Sequence, residues 1–395
     1  MTIPLVRLQP QRHKRVLGGH PWVYSNEVVM DGAAKAIDPG SIVEFRAHDS
    51  RFIGKGSFNP HSLIAGRIFT RQITDVINGE WLTARLQDAL TLRERTISKP
   101  FYRLIHAEAD SLPGLIIDRF GPHLSVQANT AGMEKLEPLL VEALTTLLHP
   151  QSITFRNDSA SREMEGLKRE TKIIHGTHNG AIEVHENGLT YFADLQGGQK
   201  TGWYFDQRDN HALVANYSKN ASSVLDLYCH AGGFALLAAE TGAKKIIGVD
   251  SSEAALALAQ KAAEHNKLAS KCTFHRADVF EDLERRITAK EKHEVVIADP
   301  PAFAKSRKDV ASGARGYRKL ARLATSVTAP QGLLFIASCS YNMELPNFIE
   351  QVAAGLHEAS REGRILHTTF AAPDHPTHPH LPESAYLKAL LIRLN

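Results

Sequence analysis

The chain has 395 residues, 43% of them apolar and 23% charged, with a net charge of +3. That length predicts two or three domains, and that balance is typical of a soluble globular protein. No apolar run approaches the roughly 20 residues of a membrane-spanning helix, and the opening "MTIPLVRLQPQRHKR" lacks the apolar stretch of a secretory signal, so a cytoplasmic protein is expected.

Residues 1–75 carry ten basic and six acidic side chains. The runs "GSIVEFRAH", "RFIGKGSFNP" and "SLIAGRIFT" are short, strand-like and punctuated by Gly and Pro, which predicts a small β-barrel or sandwich. Its basic excess fits a phosphate-rich partner, and a merely solvated face fits the charge equally. "GEWLTARLQDALTLRERTIS" (Gly79 to Ser98) has apolar residues at helical spacing. Strand-like runs then follow at Gly114 to Phe120 and His123 to Ala128, an amphipathic helix in "MEKLEPLLVEALTTLLH", and strand alternation in "SITFRND" and "AIEVHENGLTYFAD". The expected organisation is a small β-rich domain over 1–77, a central α+β domain over 78–193 and a third domain over 194–395.

In the third region continuous apolar strand runs alternate with Ala-rich helices: "SVLDLY", "FALLAAETG", "KKIIGVD", "SEAALALAQKAAEHN", "KCTFHRAD", "EVVIAD", a helix near Tyr317 to Thr328, then "GLLFIAS". Strands without alternation belong to a parallel sheet covered on both faces, so a doubly wound α/β domain is expected, with ligands at the carboxyl ends of its strands.

Those strand ends carry a pattern. The first gives "LDLYCHAGGFAL", a Gly pair opening a helix, without the G-x-G-x-x-G of a dinucleotide site. Asp226 stands six residues before Gly232, where an acid suits an ammonium group and repels a pyrophosphate. The second gives "IIGVDSS", with Asp250 at the interval of a ribose-binding carboxylate. The third gives "FHRADVF", with Asp278 placed for an adenine amino group. Each of the latter two precedes a helix and suits an N-cap as well. The fourth gives "VVIADPPAFAKS", in which two prolines stiffen the turn after Asp299. Three acids at three successive strand ends suit a cationic adenosine ligand.

These motifs resemble motifs I to IV of class I S-adenosylmethionine-dependent methyltransferases. "GGQKTGWYFDQRDNH", "ARGYRKL", "SCSYNM" and "PDHPTHPHLPESAYLKALLIRL" narrow the resemblance, as does "KRVLGGHPWVYSNEV" near the start. Together they resemble the bacterial 23S ribosomal RNA cytosine-5 methyltransferases that carry an N-terminal PUA domain. The resemblance covers essentially the whole chain. It implies a Rossmann-like C-terminal domain and S-adenosylmethionine as cofactor. Asp206, Gln207, Asp226, Tyr228 and Gly232 would line its methionine part, Asp250 its ribose and Asp278 its adenine, while Asp299 would face the target base. His230 departs from the family pattern, standing where many such enzymes have a glycine, so the loop is displaced there or the ring points away.

The same resemblance gives Cys339, at the strand end after Asp299, a role. Its neighbours Ser338 and Ser340 are small and polar, as suits a thiol within reach of solvent. Carbon 5 of cytosine is a poor nucleophile, and a thiolate adding to carbon 6 makes it enamine-like. The rival Cys229 lies too close to the methionine moiety, and Cys272 stands at the wrong end of the sheet. The spacing of the three cysteines supports neither a disulfide framework nor a structural metal, and "DHPTHPH" (Asp374 to His380) reads as a polar loop because its prolines break any helical pair of ligands. The motif IV cysteine of another RNA cytosine-5 methyltransferase group is missing from "DPPAF", so the base that removes the carbon 5 proton stays open. RNA contacts are expected from Arg12, Lys14 and Arg15 and, beyond the catalytic turn, from Lys305, Arg315 and Lys319. The partner expected is 23S rRNA, naked or partly assembled, with no membrane and with a homodimer left open. The competing readings are a guanine-N methyltransferase of the same fold, a non-catalytic PUA-type RNA-binding protein and, disfavoured by its glycine spacing, a nicotinamide dehydrogenase.

Overall fold

Strands at the start of the chain form a five-stranded sheet in the order Leu5–Arg7, Ser41–Arg46, Phe52–Phe58, Gly66–Thr70, Trp22–Val23. The first pair is parallel and the others antiparallel. Val6, Val43, Phe45, Ile53 and Phe58 fill its core. The computed structural model describes residues 3–198 and 201–395. They fall into two compact units: Met1–Ile182 with Asp194–Trp203 and Asp374–Pro382, and Glu183–Ala193 with Tyr204–Pro373 and Glu383–Asn395.

The first unit contains a second five-stranded sheet, ordered Glu170–Gly176, Ser152–Asn157, His123–Ala128, Leu115–Phe120, Phe101–His106. Helices Gly79–Thr96 and Ala131–Leu148 pack on it, capped by Asn78 and Thr130, whose side chains accept from the Trp81 and Met133 amides. Buried Glu165 ties the two sheets together. It accepts from Asn59 Nδ2 and Ser62 Oγ, both at 3.1 Å, and from Arg67 at 3.0 Å. Segment Asp374–Pro382 belongs to this unit because Asp374 is buried in it. The Arg103 amide donates to its carboxylate at 3.0 Å and Arg93 Nη2 to its carbonyl at 3.2 Å, while Arg93 also forks onto Asp110. The stretch read as a polar loop is therefore anchored in the interior at this end.

In the second unit, strands Ile182–Glu186 and Leu189–Ala193 form a hairpin joined by Asn266 to the helix it terminates. Helix α1 (Arg208–Tyr217) leads into a seven-stranded sheet. Its elements are β1 (Val224–Leu227), α2 (Gly233–Glu240), β2 (Ile246–Asp250), α3 (Glu253–His265), β3 (Cys272–Arg276), α4 (Val279–Thr288), β4 (His293–Ala298), α5 (Val310–Val327), β5 (Thr328–Ser338), α6 (Leu345–Glu358), β6 (Gly363–Phe370) and β7 (Lys388–Leu394). The strand order is β3-β2-β1-β4-β5-β7-β6, with β7 antiparallel to both neighbours. β1 and β2 are buried at every position, which is why they read as unbroken apolar runs. The order reverses between β1 and β4, so their carboxyl ends frame the crevice where a doubly wound sheet takes its ligand. Among the described residues no helix is long and apolar enough to cross a membrane.

Helix α5 starts at Val310, well before the predicted position. Gly313 and Gly316 lower helix propensity, yet they let α5 lie against the turn after β4, where added side chains would meet Ala304 and the Phe303 ring. Tyr317 is fully buried, with its hydroxyl on Ser340 Oγ at 2.9 Å.

At the opposite, amino end of the sheet, His293 is 5% exposed and neither ring nitrogen has a hydrogen-bond partner. It lines a cavity of about 700 Å³ with Lys245, Arg286 and Glu291. Burial, and then the Arg286 charge, push its pKa down to about 4. The fold thus keeps this ring neutral while the unfolded chain takes up a proton near pH 6.5. Its contribution to stability is full above about pH 6.5 and is lost as the pH falls to about 4, to the extent of about 3 kcal/mol at most. Urea unfolding at pH 4.5 and pH 7 should show a smaller difference for His293→Leu than for the parent chain.

Candidate active site at the carboxyl edge of the sheet

The loop after β1 takes an unusual path. Tyr228, His230 and Gly232 all have left-handed backbones, with φ of +61°, +47° and +83°. Only the glycine adopts this without strain, and non-glycine residues held there cost about 1–3 kcal/mol each. The His230 amide donates to Asp250 Oδ2 at 2.9 Å, and its ring meets the edge of Tyr204 at 4.9 Å. The loop thus carries a histidine at a left-handed position, its amide held by Asp250 and its ring against Tyr204.

Asp226 lies in β1, 1% exposed, and accepts from the Ala235 amide of α2 at 3.0 Å through Oδ2. Its other oxygen, Oδ1, is buried without a hydrogen-bond partner. Burial raises its pKa well above the usual carboxylate value, and the charges of Asp299 and Asp250 add to the rise. A carboxylate kept dry with one oxygen unused is an acceptor waiting for a cation. The ammonium of a bound S-adenosylmethionine, a donor, fits that acceptor.

Asp250 ends β2 without capping α3, a task that falls to Ser252. Its two oxygens take the His230 and Ser252 amides, so it organises both loops of the crevice. Asp278 is exposed and caps α4, accepting from the Phe280 and Glu281 amides through Oδ1. Half-buried Tyr228 lies within the fields of both acids, which together with burial raise its pKa. These residues and Gly232 share one edge of the sheet.

On the other side of the switch point, the Asp299 amide donates to the Leu227 carbonyl at 3.4 Å, joining the turn after β4 to the end of β1. Gln207 Nε2 donates to Asp299 Oδ2 at 2.8 Å, and Asn210 holds the Gln207 oxygen at 2.6 Å. Buried Asp206 accepts from the Tyr386 hydroxyl at 2.6 Å. Gln207 therefore steadies Asp299, and Asp206 is spanned by an aromatic hydroxyl from just before β7.

β5 lies parallel beside β4, with Ala298 opposite Ile336, so Cys339 and Asp299 leave adjacent strands at the same end. Cys339 is partly exposed, whereas Cys229 and Cys272 are buried. Its sulfur lies 3.8 Å from the Pro300 carbonyl. Burial raises the Cys229 pKa strongly and pushes Cys272 up to about 11. Ser338 and Ser340 are buried rather than open to water. Ser338 Oγ accepts from the Ser340 amide at 3.3 Å, and Ser340 Oγ accepts from the Ala304 amide at 3.1 Å. They brace the thiol's turn.

The residues expected to meet RNA divide in two. Arg12 and Lys14 are exposed in the N-terminal module, as are Lys305 and Arg315 beyond the Asp299 turn. Lys319 is exposed as well, with its ammonium on Glu284 at 3.1 Å and over the Phe280 ring, whereas half-buried Arg15 pairs with Glu27 at 2.7 Å. Sequence reasoning gave no role to Asn210, Tyr386 or Lys388. The signal for the last was a lysine opening the apolar run "KALLIRL", which buries it (4% exposed).

A model described as a PUA-like domain matches residues 6–71, and one described as a methyltransferase domain matches residues 218–376. A protein of Streptococcus mutans described as a SAM-dependent methyltransferase superposes with a TM-score of 0.82 at 20% identity, over 99% of this chain and 100% of that one. SMU.776, described as a methyltransferase and solved in complex with SAH, does so with a TM-score of 0.83 at 20% identity, covering all of both chains. These likenesses establish the fold. In sequence, the chain is 38% identical over 395 residues to the ribosomal RNA large subunit methyltransferase I of Tolumonas auensis, covering 98% of each protein. Similarity sustained over that length places this chain in the ribosomal RNA large subunit methyltransferase I family of S-adenosylmethionine-dependent enzymes.

Proposed function

We propose that the protein methylates carbon 5 of a cytosine in 23S rRNA through a covalent adduct with Cys339. One observation carries the reading: of the three thiols, the partly exposed one stands at the strand end beside Asp299, across the switch point from Asp226. S-adenosylmethionine supplies an electrophilic methyl group. The Cys339 thiolate adds to carbon 6 of the base, and the ring electrons move toward N3. Asp299, steadied by Gln207, holds a proton or hydrogen bond at that nitrogen and so favours addition. Carbon 5 then takes the methyl group, the electrons of the broken bond staying on sulfur as S-adenosylhomocysteine; water accepts the carbon 5 proton, and expulsion of the thiolate restores the ring.

Asp226 takes the cofactor ammonium, Asp250 its ribose and Asp278, through the oxygen its cap leaves over, the adenine amino group. Asp206 and Tyr228 border the methionine part. Exposed Arg12, Lys14, Lys305, Arg315 and Lys319 provide phosphate contacts, and the cytosine must leave its stack to reach the thiol. That requirement favours naked or partly assembled RNA.

The test is nucleoside mass spectrometry of 23S rRNA transcribed in vitro and incubated with the purified protein and S-adenosylmethionine. The expected product is 5-methylcytidine. A methylated guanosine, or an unchanged nucleoside inventory, overturns the reading.

A further inference from the structure

Lys388 opens β7 directly opposite Ser338, one residue before the proposed nucleophile. It is a lysine in a sheet interior, 4% exposed. Its ammonium donates to the Ser340 carbonyl at 2.6 Å and to the Tyr386 carbonyl at 3.0 Å. Among the described residues no carboxylate lies within ion-pair distance of it. A buried cation without an anion is costly, and two neutral carbonyls offset only part of that cost. Burial accordingly drives its pKa down to about 8, and the opposing influence is the negative charge of ionised Cys339. Tyr317, which braces the same turn through Ser340, is buried and neutral, with its pKa raised by burial, and brings no charge.

We propose that Lys388 is a positioning residue for the nucleophile: it fixes the Ser338–Cys339–Ser340 turn through the Ser340 carbonyl and holds the positive charge against which the Cys339 thiolate forms. The thiol proton leaves to solvent, and the resulting anion and the ammonium compensate one another inside the protein. The geometry explains why a charged residue is tolerated at the buried head of a strand whose other charged side chain, Arg393, is exposed. Asp206 and Tyr386 join the same chain of contacts, since the Tyr386 hydroxyl is tied to Asp206 while its carbonyl holds the lysine.

This proposal rests on Cys339 being the nucleophile, and its test reads the thiol in the free protein without RNA or cofactor. Iodoacetamide alkylates the thiolate, which displaces iodide from the methylene carbon, and mass spectrometry of the Cys339 peptide gives the rate at each pH. The parent chain should show an inflection below the value of about 8.5 of an ordinary cysteine. Lys388→Met should raise it by about one unit, with alkylation near pH 7 slowed about tenfold, whereas Lys388→Arg should hold it near the parent value. Coincident profiles for the parent chain and a folded Lys388→Met overturn the proposal. If that variant does not fold, the reciprocal measurement serves, because coupling acts equally on both partners. In protein labelled with 13C-lysine, the Lys388 Cε resonance, assigned by its loss in Lys388→Arg, should titrate at lower pH in Cys339→Ser than in the parent chain. An unchanged titration overturns the proposal as well. A Lys388-dependent thiol in a protein that makes no 5-methylcytidine would instead sink the methylation reading and leave the pairing intact.

Discussion

Cys339→Ala is expected to lower 5-methylcytidine formation by at least about a thousandfold, since the reaction loses its covalent route and carbon 5 reverts to a poor nucleophile. The substitution removes one sulfur from a partly exposed turn and leaves the serine brackets in place, so folding and cofactor binding should persist. Incorporation of 5-fluorocytidine into the RNA gives a second readout. Fluorine at carbon 5 cannot leave as a proton does, so the adduct with the parent enzyme should survive denaturing electrophoresis, and Cys339→Ala should form none. A variant that retains most of its activity, or that still traps RNA, would exclude Cys339 as the nucleophile.

Asp226→Asn should weaken S-adenosylmethionine binding by roughly a hundredfold or more, the scale of about 3 kcal/mol for breaking a buried charge pair. The amide still accepts from the Ala235 amide but opposes an ammonium with its own N–H groups or with a neutral oxygen. Stability should hold or rise, because the free protein no longer buries an acid whose ionised form burial disfavours. Calorimetry can separate this role from a structural one. The Asp226 pKa is raised in the free protein, and a bound cation lowers it, so binding should release a proton and weaken on acidification. Asp226→Asn should abolish that proton release. Unchanged affinity would remove Asp226 from the cofactor site, and lost stability would make it a structural acid.

The sheet and its ligand edge were legible because β1, β2 and β4 are buried parallel strands that leave apolar runs, each with an acid at or beside its carboxyl end. Resemblance added the rest of the catalytic assignment, which spacing alone could not supply. Whether Asp250 or Asp278 capped a helix was open in sequence, and the answers differ. Asp278 does cap, whereas Ser252 relieves Asp250 of that task and frees it to bind two loop amides. The start of α5 was hidden because two glycines argue against a helix, and only the neighbouring turn shows why they are there. β6 was missed because it is an edge strand with largely exposed side chains and no clean alternation. Lys388 was illegible for a topological reason. β7 inserts antiparallel between β5 and β6, so a residue 48 positions beyond Ser340 comes to lie under it.

Asp374 sits 271 positions after Arg103 and 281 after Arg93, yet is buried against both. During synthesis, the amino-terminal half leaves the ribosome with Arg93 able to fork onto Asp110 and Arg103 onto Asp118, but without the Asp374 carbonyl and carboxylate that complete this corner. Loop closure across so long a stretch is entropically expensive and slow. These last contacts of the amino-terminal unit can therefore form only after β6 has emerged, and a nascent chain arrested before residue 374 should be cut by protease near Arg93 and Arg103 faster than the finished protein.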